Sequence, residues 1–307
     1  MSETKTVLIT GGAGYIGSIL IEELLKKDYK VIVIDNLMYD QSTLLNFCYS
    51  DNFEFISGDC RDENLIKKNI QRVGIIIPLA CLTGAPLCHK DPWSAQSVIV
   101  DGIKLILKYR EQSQKIIYPN TNSGYGVGEK DKFCTEESPL NPISLYGRLK
   151  VEAEKLIVAA GNYIVFRLAT VFGASPRMRV DLLVNDFVYR AVKDKFVVLF
   201  EADAKRNYIH IRDVVGAFIY GLENWDALKD EIYNLGLSTA NLSKKELCEK
   251  IKEFIPDFHF TVAEIGEDPD KRDYIVSNEK IEKAGYIPKY SLEFGIKELI
   301  KTYKIIH

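Results

Sequence analysis

Short runs of β-branched and other apolar residues alternate with amphipathic segments over the first 170 residues of the chain. Six such runs predict strands, at Thr6–Thr10, Lys30–Asp35, Phe53–Ser57, Val73–Leu79, Lys115–Pro119 and Tyr163–Leu168. Segments such as 17–27 and 151–160 have the apolar spacing of helices between them. This alternation is typical of βαβ units. It predicts an α/β fold with a doubly wound parallel sheet, whose ligands bind outside the carboxyl ends of the strands.

The pattern becomes less regular after Gly173. It predicts a helix from about 181 to 193, a strand at 196–200, a strand near 259–262 and two final helices. A smaller C-terminal lobe that closes over the ligand edge of the sheet is the simplest arrangement. We therefore predict two domains, a sheet domain of residues 1–173 plus about 206–236, and a substrate-binding lobe of about 174–205 and 237–307.

The loop after the first strand carries the strongest local motif, TGGAGYIG. Gly11, Gly14 and Gly17 recur at three-residue spacing between a strand and a helix. They permit the tight turn, the close approach of backbone to a pyrophosphate, and the packing of the helix. Tyr15 and Ile16 belong to the same predicted dinucleotide-binding loop.

The second strand ends in Asp35, about 20 residues after the glycine loop, where a carboxylate accepts hydrogen bonds from the adenosine ribose. Such a carboxylate repels the 2′-phosphate of NADP, and Asn36, Leu37 and Met38 follow it instead of an arginine. The alternative is that Asp35 only caps a turn. The sequence favours NAD, and we assign Asn36 to the same site.

Two further strand ends lie at the predicted ligand edge. Asp59 and Cys60 follow the third strand, where an acid and a backbone amide meet adenine. Leu79 and Ala80 end the fourth, beside the expected nicotinamide ribose.

The catalytic candidates are Tyr146 and Lys150, four residues apart in SLYGRLKVEAE. On a helix they share one face, so the ammonium is expected to lower the phenol pKa from its usual value of about 10. A tyrosine of this kind accepts a proton from a sugar hydroxyl while hydride leaves the same carbon. The alternative is a solvated helix face, which the preceding motifs make less attractive.

Charge and composition narrow the functional classes. The 307 residues include 40 Lys and Arg against 43 Asp and Glu, a net charge of −3, with no long block of either sign. A general nucleic-acid or anionic membrane surface is therefore not expected. Six scattered cysteines, four distant histidines and no CxxC pair favour reduced thiols without a structural metal. The N-terminus lacks the pattern of a signal peptide, and we expect a cytoplasmic protein.

TGGAGYIG, Asp35, PNTNSGYG and YGRLK occur in the order that resembles the extended short-chain dehydrogenase/reductases of nucleotide sugars. RNYIHIRDV and the segment from KRDYIV to IKELI resemble the C-terminal pattern of that family, so the resemblance covers almost the whole chain. It implies a Rossmann-type fold and an NAD cofactor. It also implies that Thr121 hydrogen-bonds the reacting C4 hydroxyl, that Tyr146 is the general acid/base, and that Lys150 also holds the nicotinamide ribose.

The same resemblance implies a binding site for the substrate. Arg206 and Arg272 match positions that bind the diphosphate of the nucleotide sugar, and a guanidinium suits that role. Asn185 is a further candidate for the diphosphate, with an exposed helix amide as the alternative. His210 is interpreted as structural. The resemblance also implies a homodimer formed by helices near 93–110 and 146–160.

In the 4,6-dehydratases of this family the threonine is followed by Asp and Glu, whereas Thr121 is followed by Asn122 and Ser123. Because neither can act as a carboxylate, dehydration is disfavoured. We expect oxidation at C4 to a 4-keto sugar. TNSGYG and SPRMRVDLLVN are most similar to GDP-heptose 4-dehydrogenases of polysaccharide pathways, including capsule synthesis, which implies GDP-D-glycero-D-manno-heptose as substrate.

Two alternatives stay open: a 4-epimerase similar to UDP-glucose 4-epimerase, and a silent NAD-binding sensor. If NAD is held tightly, catalytic oxidation needs a second substrate, for which a small 2-oxo acid is a candidate.

Overall fold

The computed structural model describes residues 5–263 and 272–306. Within these ranges it contains fourteen strands and twelve α-helices. The strands are β1 (Thr6–Thr10), β2 (Lys30–Asp35), β3 (Phe53–Ser57), β4 (Ile75–Pro78), β5 (Lys115–Thr121), β6 (Phe133–Cys134), β7 (Tyr163–Leu168), β8 (Thr170–Phe172), β9 (Phe196–Leu199), β10 (Lys205–His210), β11 (Glu231–Leu235), β12 (Asn241–Ser243), β13 (His259–Val262) and β14 (Ile275–Val276). The helices are α1 (Gly17–Lys26), α2 (Glu63–Ile70), α3 (Ala85–Lys90), α4 (Pro92–Gln96), α5 (Gly102–Tyr109), α6 (Leu145–Ala160), α7 (Leu183–Lys193), α8 (Ile211–Glu223), α9 (Trp225–Leu228), α10 (Lys244–Lys252), α11 (Glu279–Lys283) and α12 (Leu292–Ile306).

Seven parallel strands form the central sheet, in the order β11-β7-β5-β4-β1-β2-β3. The order reverses at β1, which lies between β4 and β2. In such sheets the ligand crevice lies where the carboxyl ends of the strands diverge at this reversal. The predicted doubly wound parallel sheet is confirmed.

The apolar runs form strands because both faces of the sheet are covered by helices. Val7 and Ile9 of β1 pack into one core cluster with α1 and α8. Leu8, between them, faces the opposite cluster with α2, α5 and α6. Successive side chains of a strand point to opposite faces, and each fully buried aliphatic side chain contributes about 1.5–3 kcal/mol.

The seventh strand, β11, was not predicted. Its sequence EIYNL is short and contains Asn234, a polar residue that interrupts the apolar pattern. Asn234 is nevertheless fully buried, since internal hydrogen bonds satisfy its amide. Propensity alone does not foresee such a network.

The remaining strands form a three-stranded sheet, β12-β10-β8, and two parallel pairs, β13-β9 and β14-β6. Helices α7, α10 and α12 enclose a third apolar cluster beside them. The exact limits of the two domains stay a prediction. None of the helices described is both long and apolar enough to cross a bilayer.

Candidate active site

The glycine loop lies directly against the end of β4. Gly11 has a φ of +74°, and a Cβ there would lie 2.6 Å from the Ala80 nitrogen. A Cβ on Gly17 would lie 2.3 Å from the Gly12 carbonyl oxygen. Only glycine fits at these positions. Because α1 also begins without a side-chain cap, the loop offers the close backbone approach and the helix N-terminus that a dinucleotide pyrophosphate requires.

Asp35 ends β2 with a buried carboxylate. Its oxygens accept hydrogen bonds from the backbone N–H of Ala13, at 3.0 Å, and of Leu37, at 2.9 Å. A carboxylate has about four lone-pair positions, so acceptor capacity remains for ribose hydroxyls. The following Asn36 is exposed, and its Oδ1 accepts from the Met38 amide at 3.2 Å. A fixed negative charge at this position fits NAD better than NADP.

Asp59 and Cys60 follow β3 at the same edge of the sheet. Arg61 donates to both carboxylate oxygens of Asp59, at 2.9 and 2.6 Å, and this guanidinium lowers the pKa of Asp59. Burial raises the pKa of the Cys60 thiol to about 12, so the thiol is protonated at neutral pH. Arg61 was not among the residues predicted from the sequence. The contact of Asp59 and Cys60 with adenine stays a prediction.

Tyr15 joins the glycine loop to the segment after β8. Its hydroxyl donates to the Gly173 carbonyl oxygen at 2.7 Å and accepts from Asn185 Nδ2 at 3.3 Å. Asn185 is fully buried, and its amide also bonds the Gly173 N–H and the Arg179 carbonyl oxygen, at 3.0 and 2.8 Å. Asn185 is therefore not an exposed helix amide, and it holds residues 173–185 against the glycine loop. Its contact with a diphosphate stays a prediction.

Helix α6 carries Tyr146 and Lys150 one turn apart. Ser144 caps the helix by accepting from the Gly147 N–H at 3.1 Å. Both catalytic candidates therefore lie within the first two turns of a capped helix, beside the carboxyl end of β5.

The Lys150 ammonium is directed at β5. It donates to the Pro119 carbonyl oxygen at 2.5 Å and lies 4.0 Å from the ring centroid of Tyr118. Burial lowers the pKa of Lys150 to about 8 and raises the pKa of Tyr146. The prediction that Lys150 lowers the Tyr146 pKa is wrong here, because desolvation of the phenol dominates and the ammonium bonds Pro119.

Two guanidinium groups supply the positive charge that partly offsets this burial. Arg272 and Arg179 both lower the pKa of Tyr146. Arg179, which sequence analysis did not single out, lies in SPRMRVD and bonds both carboxylate oxygens of Asp181, at 2.6 and 2.5 Å. Tyr146 is thus affected by positive charges from outside its own helix, which the spacing to Lys150 does not reveal.

Thr121 ends β5 and precedes the 3₁₀ turn Asn122–Tyr125. Its Oγ1 accepts from the Ser123 N–H at 3.1 Å and lies 2.9 Å from Ser123 Oγ. Arg272 donates to that same Oγ. The structure therefore brings Arg272 to Ser123, beside Thr121, whereas its predicted partner is the diphosphate.

Arg206 is 2% exposed, so its side chain lies inside the fold and not on an exposed surface. It donates to the Lys205 carbonyl oxygen at 2.9 Å, and its guanidinium lies 5.7 Å from the ring centroid of Tyr274. Its contact with a diphosphate stays a prediction. His210 caps α8, and its Nε2 lies 2.9 Å from a carboxylate oxygen of Glu298, which gives it a structural role.

No group of three or more His, Cys, Asp or Glu side chains suited to a metal ion occurs within residues 5–263 and 272–306.

Comparisons with known proteins find relatives that match nearly the whole chain. The chain is 29% identical to mouse dTDP-D-glucose 4,6-dehydratase, over 99% of this chain and 90% of the relative. The solved structure of Thermotoga maritima UDP-glucose 4-epimerase with UDP-glucose superimposes with a TM-score of 0.86 at 26% identity, covering 98% of this chain and 99% of the other. That of Bacillus anthracis dTDP-glucose 4,6-dehydratase in complex with NAD gives 0.81 at 25% identity, over 98% and 96%.

The sequence profile described as the NAD dependent epimerase/dehydratase family matches residues 7–236, which include the glycine loop, Asp35, Thr121, Tyr146 and Lys150. The chain therefore belongs to the NAD dependent epimerase/dehydratase family, and the expected cofactor, NAD, is the one that this family uses.

Proposed function

We propose that this enzyme oxidises C4 of the sugar of a nucleotide-diphosphate sugar to a ketone, with GDP-D-glycero-D-manno-heptose as the favoured substrate, in capsular or related polysaccharide synthesis. The observation that carries the proposal is the hydroxyl group of Thr121 beside Ser123 and Arg272, without a carboxylate in the turn that follows. This arrangement supports proton and hydride removal at one carbon and offers no acid for the expulsion of water.

In this reaction Thr121 binds the C4 hydroxyl, and the phenolate form of Tyr146, which burial disfavours and the nearby positive charges favour, accepts its proton. The C4 hydrogen leaves as hydride, and the C4–O bond becomes a double bond. NAD, when bound, supplies the hydride acceptor. Lys150 contributes a positive charge and a hydrogen-bond donor, and the charges of Arg272 and Arg179 favour the phenolate form of Tyr146.

The adjacent residues argue against a 4,6-dehydratase. Asn122 and Ser123 are each 1% exposed. An amide and a hydroxyl do not exchange protons at neutral pH as the acid pair of a dehydratase does. The 29% identity to a dehydratase over nearly the whole chain therefore supports the shared fold and first oxidation step, and not the elimination.

A 4-epimerase is the second candidate. The chain resembles the Thermotoga maritima UDP-glucose 4-epimerase over 98% of its length, and epimerisation uses the same oxidation followed by reduction from the other face of the sugar. The two functions differ in whether the ketone is released.

Release of a ketone leaves reduced cofactor, so we also propose a second substrate that accepts the hydride, a small 2-oxo acid. The positive charges of Arg179 and Arg272 near Tyr146 support binding of a carboxylate at this position.

The helices of the proposed homodimer interface are α4, α5 and α6, which pack together. Trp93 of α4 is 74% exposed, which supports a contact with a second copy at this position.

The six free cysteines support the proposed cytoplasmic location, because thiols persist in a reducing compartment.

The test is to incubate the protein with GDP-, UDP-, CDP- and dTDP-sugars, including a GDP-heptose, and to record NADH absorbance and product mass, with and without 2-oxo acids. A product lighter by two hydrogens supports the proposal, an isomer of unchanged mass supports the epimerase, and loss of water contradicts both. Tyr146→Phe should lower turnover about 10² to 10⁴-fold while NAD binding persists. If NAD binds but hydride exchanges with no nucleotide sugar, the chain is a silent sensor.

A further inference from the structure

A row of buried polar side chains crosses the carboxyl end of the central sheet. Asn120 on β5, Arg167 on β7 and Asn234 on β11 are register partners on neighbouring strands. They are 3%, 4% and 0% exposed, respectively. Buried polar groups require internal partners, so the contacts of this row indicate what it connects.

Glu154 of α6 provides the negative charge of the row. It is 3% exposed, and its carboxylate accepts two hydrogen bonds from Arg167, at 2.7 and 3.0 Å. It also accepts from Asn120 Nδ2. Glu154 lies one turn after Lys150, which bonds the Pro119 carbonyl oxygen. Two successive turns of α6 therefore hold two consecutive residues of β5.

These two anchors directly precede Thr121 in the chain. Tyr146 lies one turn before Lys150 on the same face of α6. The distance between the reacting groups of Tyr146 and Thr121 is therefore set by how α6 is fixed to the end of β5.

The other end of the row reaches the substrate lobe. Arg167 donates to the Tyr125 hydroxyl at 3.1 Å, and that hydroxyl donates to Asn234 Oδ1 at 2.6 Å. Asn234 Nδ2 donates to the Ser277 carbonyl oxygen at 3.1 Å. Ser277 lies five residues after Arg272. A continuous chain of hydrogen bonds thus runs from the catalytic helix to the segment that follows Arg272.

A buried ion pair contributes little net stability compared with apolar residues of the same volume, because desolvation offsets the attraction. We propose that Glu154 and Arg167 are positioning residues, which hold Lys150 and the end of β5 in the reactive arrangement and link them to the segment after Arg272. This inference rests on the proposed function, since it assumes that Lys150 and Thr121 take part in the reaction.

The groups that face Lys150 make the proposal testable. Glu154 and Tyr146 approach it from its own helix, Tyr118 from β5, and Cys81 from the end of β4. Burial lowers the pKa of Lys150, whereas Cys81 and Glu154 raise it. Beyond Glu154 lies Arg167, whose opposite charge offsets that of the carboxylate.

Glu154→Gln leaves the Arg167 charge uncompensated, so it should lower the Lys150 pKa by about one unit, a tenfold change in proton affinity. Arg167→Met should raise it. If the two residues have only a structural role, both variants should loosen the packing around Lys150 and admit water. The Lys150 pKa should then rise toward its ordinary value in both variants. The matched control is Glu152→Gln on the same helix, where the side chain is 49% exposed, and this variant should leave Lys150 unchanged.

The pKa of Lys150 is measured by trace acetylation across a pH series followed by peptide mass spectrometry, without any turnover. A pKa that rises or stays constant in Glu154→Gln overturns the proposal. If Arg167→Met does not fold, the double variant Glu154→Gln, Arg167→Met removes both charges and should return the pKa close to the wild-type value.

The second readout is the pH profile of hydride transfer with the nucleotide sugar that proves active. In Glu154→Gln we expect the limb of the pH profile that depends on Lys150 to shift to lower pH together with the Lys150 pKa. We also expect kcat to fall roughly tenfold while KM changes little. An unchanged kcat and profile beside a shifted pKa overturns the positioning role. If no sugar in the panel is oxidised, the proposed function fails, while the titration still decides how Glu154 and Arg167 act on Lys150.

Discussion

Ser123 Oγ lies 2.9 Å from Thr121 Oγ1, and Arg272 donates to the same Ser123 oxygen. Ser123 therefore connects the guanidinium of Arg272 to the hydroxyl of Thr121, which is expected to hydrogen-bond the C4 hydroxyl of the sugar. In the dehydratases that the sequence resembles, an acidic residue stands at this position. Here the serine hydrogen-bonds the threonine and carries no carboxylate.

Ser123→Ala removes this connection and should lower kcat about fivefold, since one positioned hydrogen bond corresponds to roughly 1 kcal/mol. The Kd of NAD should stay unchanged, because the serine lies at the sugar end of the site. The measurement is steady-state hydride transfer, with the exposed Ser113→Ala as control. A wild-type kcat in Ser123→Ala would mean that Thr121 needs no such orientation.

Asp35→Asn should narrow the preference for NAD over NADP. The amide oxygen can still accept from a backbone N–H, but the charge that repels the 2′-phosphate is lost. Calorimetric titration of both cofactors measures the effect, with the exposed Asp40→Asn as control. Equal affinities of the unmodified protein for NAD and NADP would contradict the assignment of Asp35.

The sequence predicts the elements whose causes are local. Six strands of the central sheet follow from apolar runs, and the glycine loop from the spacing of Gly11, Gly14 and Gly17. The cofactor follows from Asp35, because ribose recognition needs one acid at the end of one strand. In each case a few neighbouring residues contain the physical reason.

Groups that depend on distant partners were not predictable in this way. Tyr15 bonds the Gly173 carbonyl oxygen 158 positions away, and Glu154 bonds Arg167 through the packing of α6 on two strands. The raised pKa of Tyr146 has the same origin, since burial depends on the whole fold whereas the spacing to Lys150 is local.

Lys150→Met should increase the free energy of unfolding at neutral pH while it abolishes most turnover. The folded protein binds the Lys150 proton more weakly than the unfolded chain, with a pKa of about 8 against 10.5. The wild type therefore gains stability as pH rises from 8 to 10.5, and below pH 8 the buried charge costs roughly 3 to 4 kcal/mol. The lost bond to Pro119 offsets part of the gain.

Denaturant unfolding of Lys150→Met and wild type at pH 7 and near pH 10 measures this difference, which should shrink at the higher pH. The exposed Lys155→Met on the same helix is the control and should show no such dependence. A difference that grows with pH would contradict a lowered Lys150 pKa.

Variants of Tyr15 and Asn185 distinguish two roles of the asparagine. In one it hydrogen-bonds only within the protein, and in the other it binds the diphosphate. Because the Asn185 amide is fully buried, Asn185→Ala should lower the free energy of unfolding by about 1–3 kcal/mol. It should also weaken the binding of NAD, since Tyr15, the partner of Asn185, lies in the glycine loop. Tyr15→Phe removes the hydrogen bond between the two residues from the other side, so the double variant should lose less than the sum of the two, with a coupling of about 0.5 to 3 kcal/mol. Denaturant unfolding of the four proteins and NAD titration give these energies. Additive losses, together with a raised KM for the nucleotide sugar in Asn185→Ala alone, would show instead that the asparagine acts on the diphosphate.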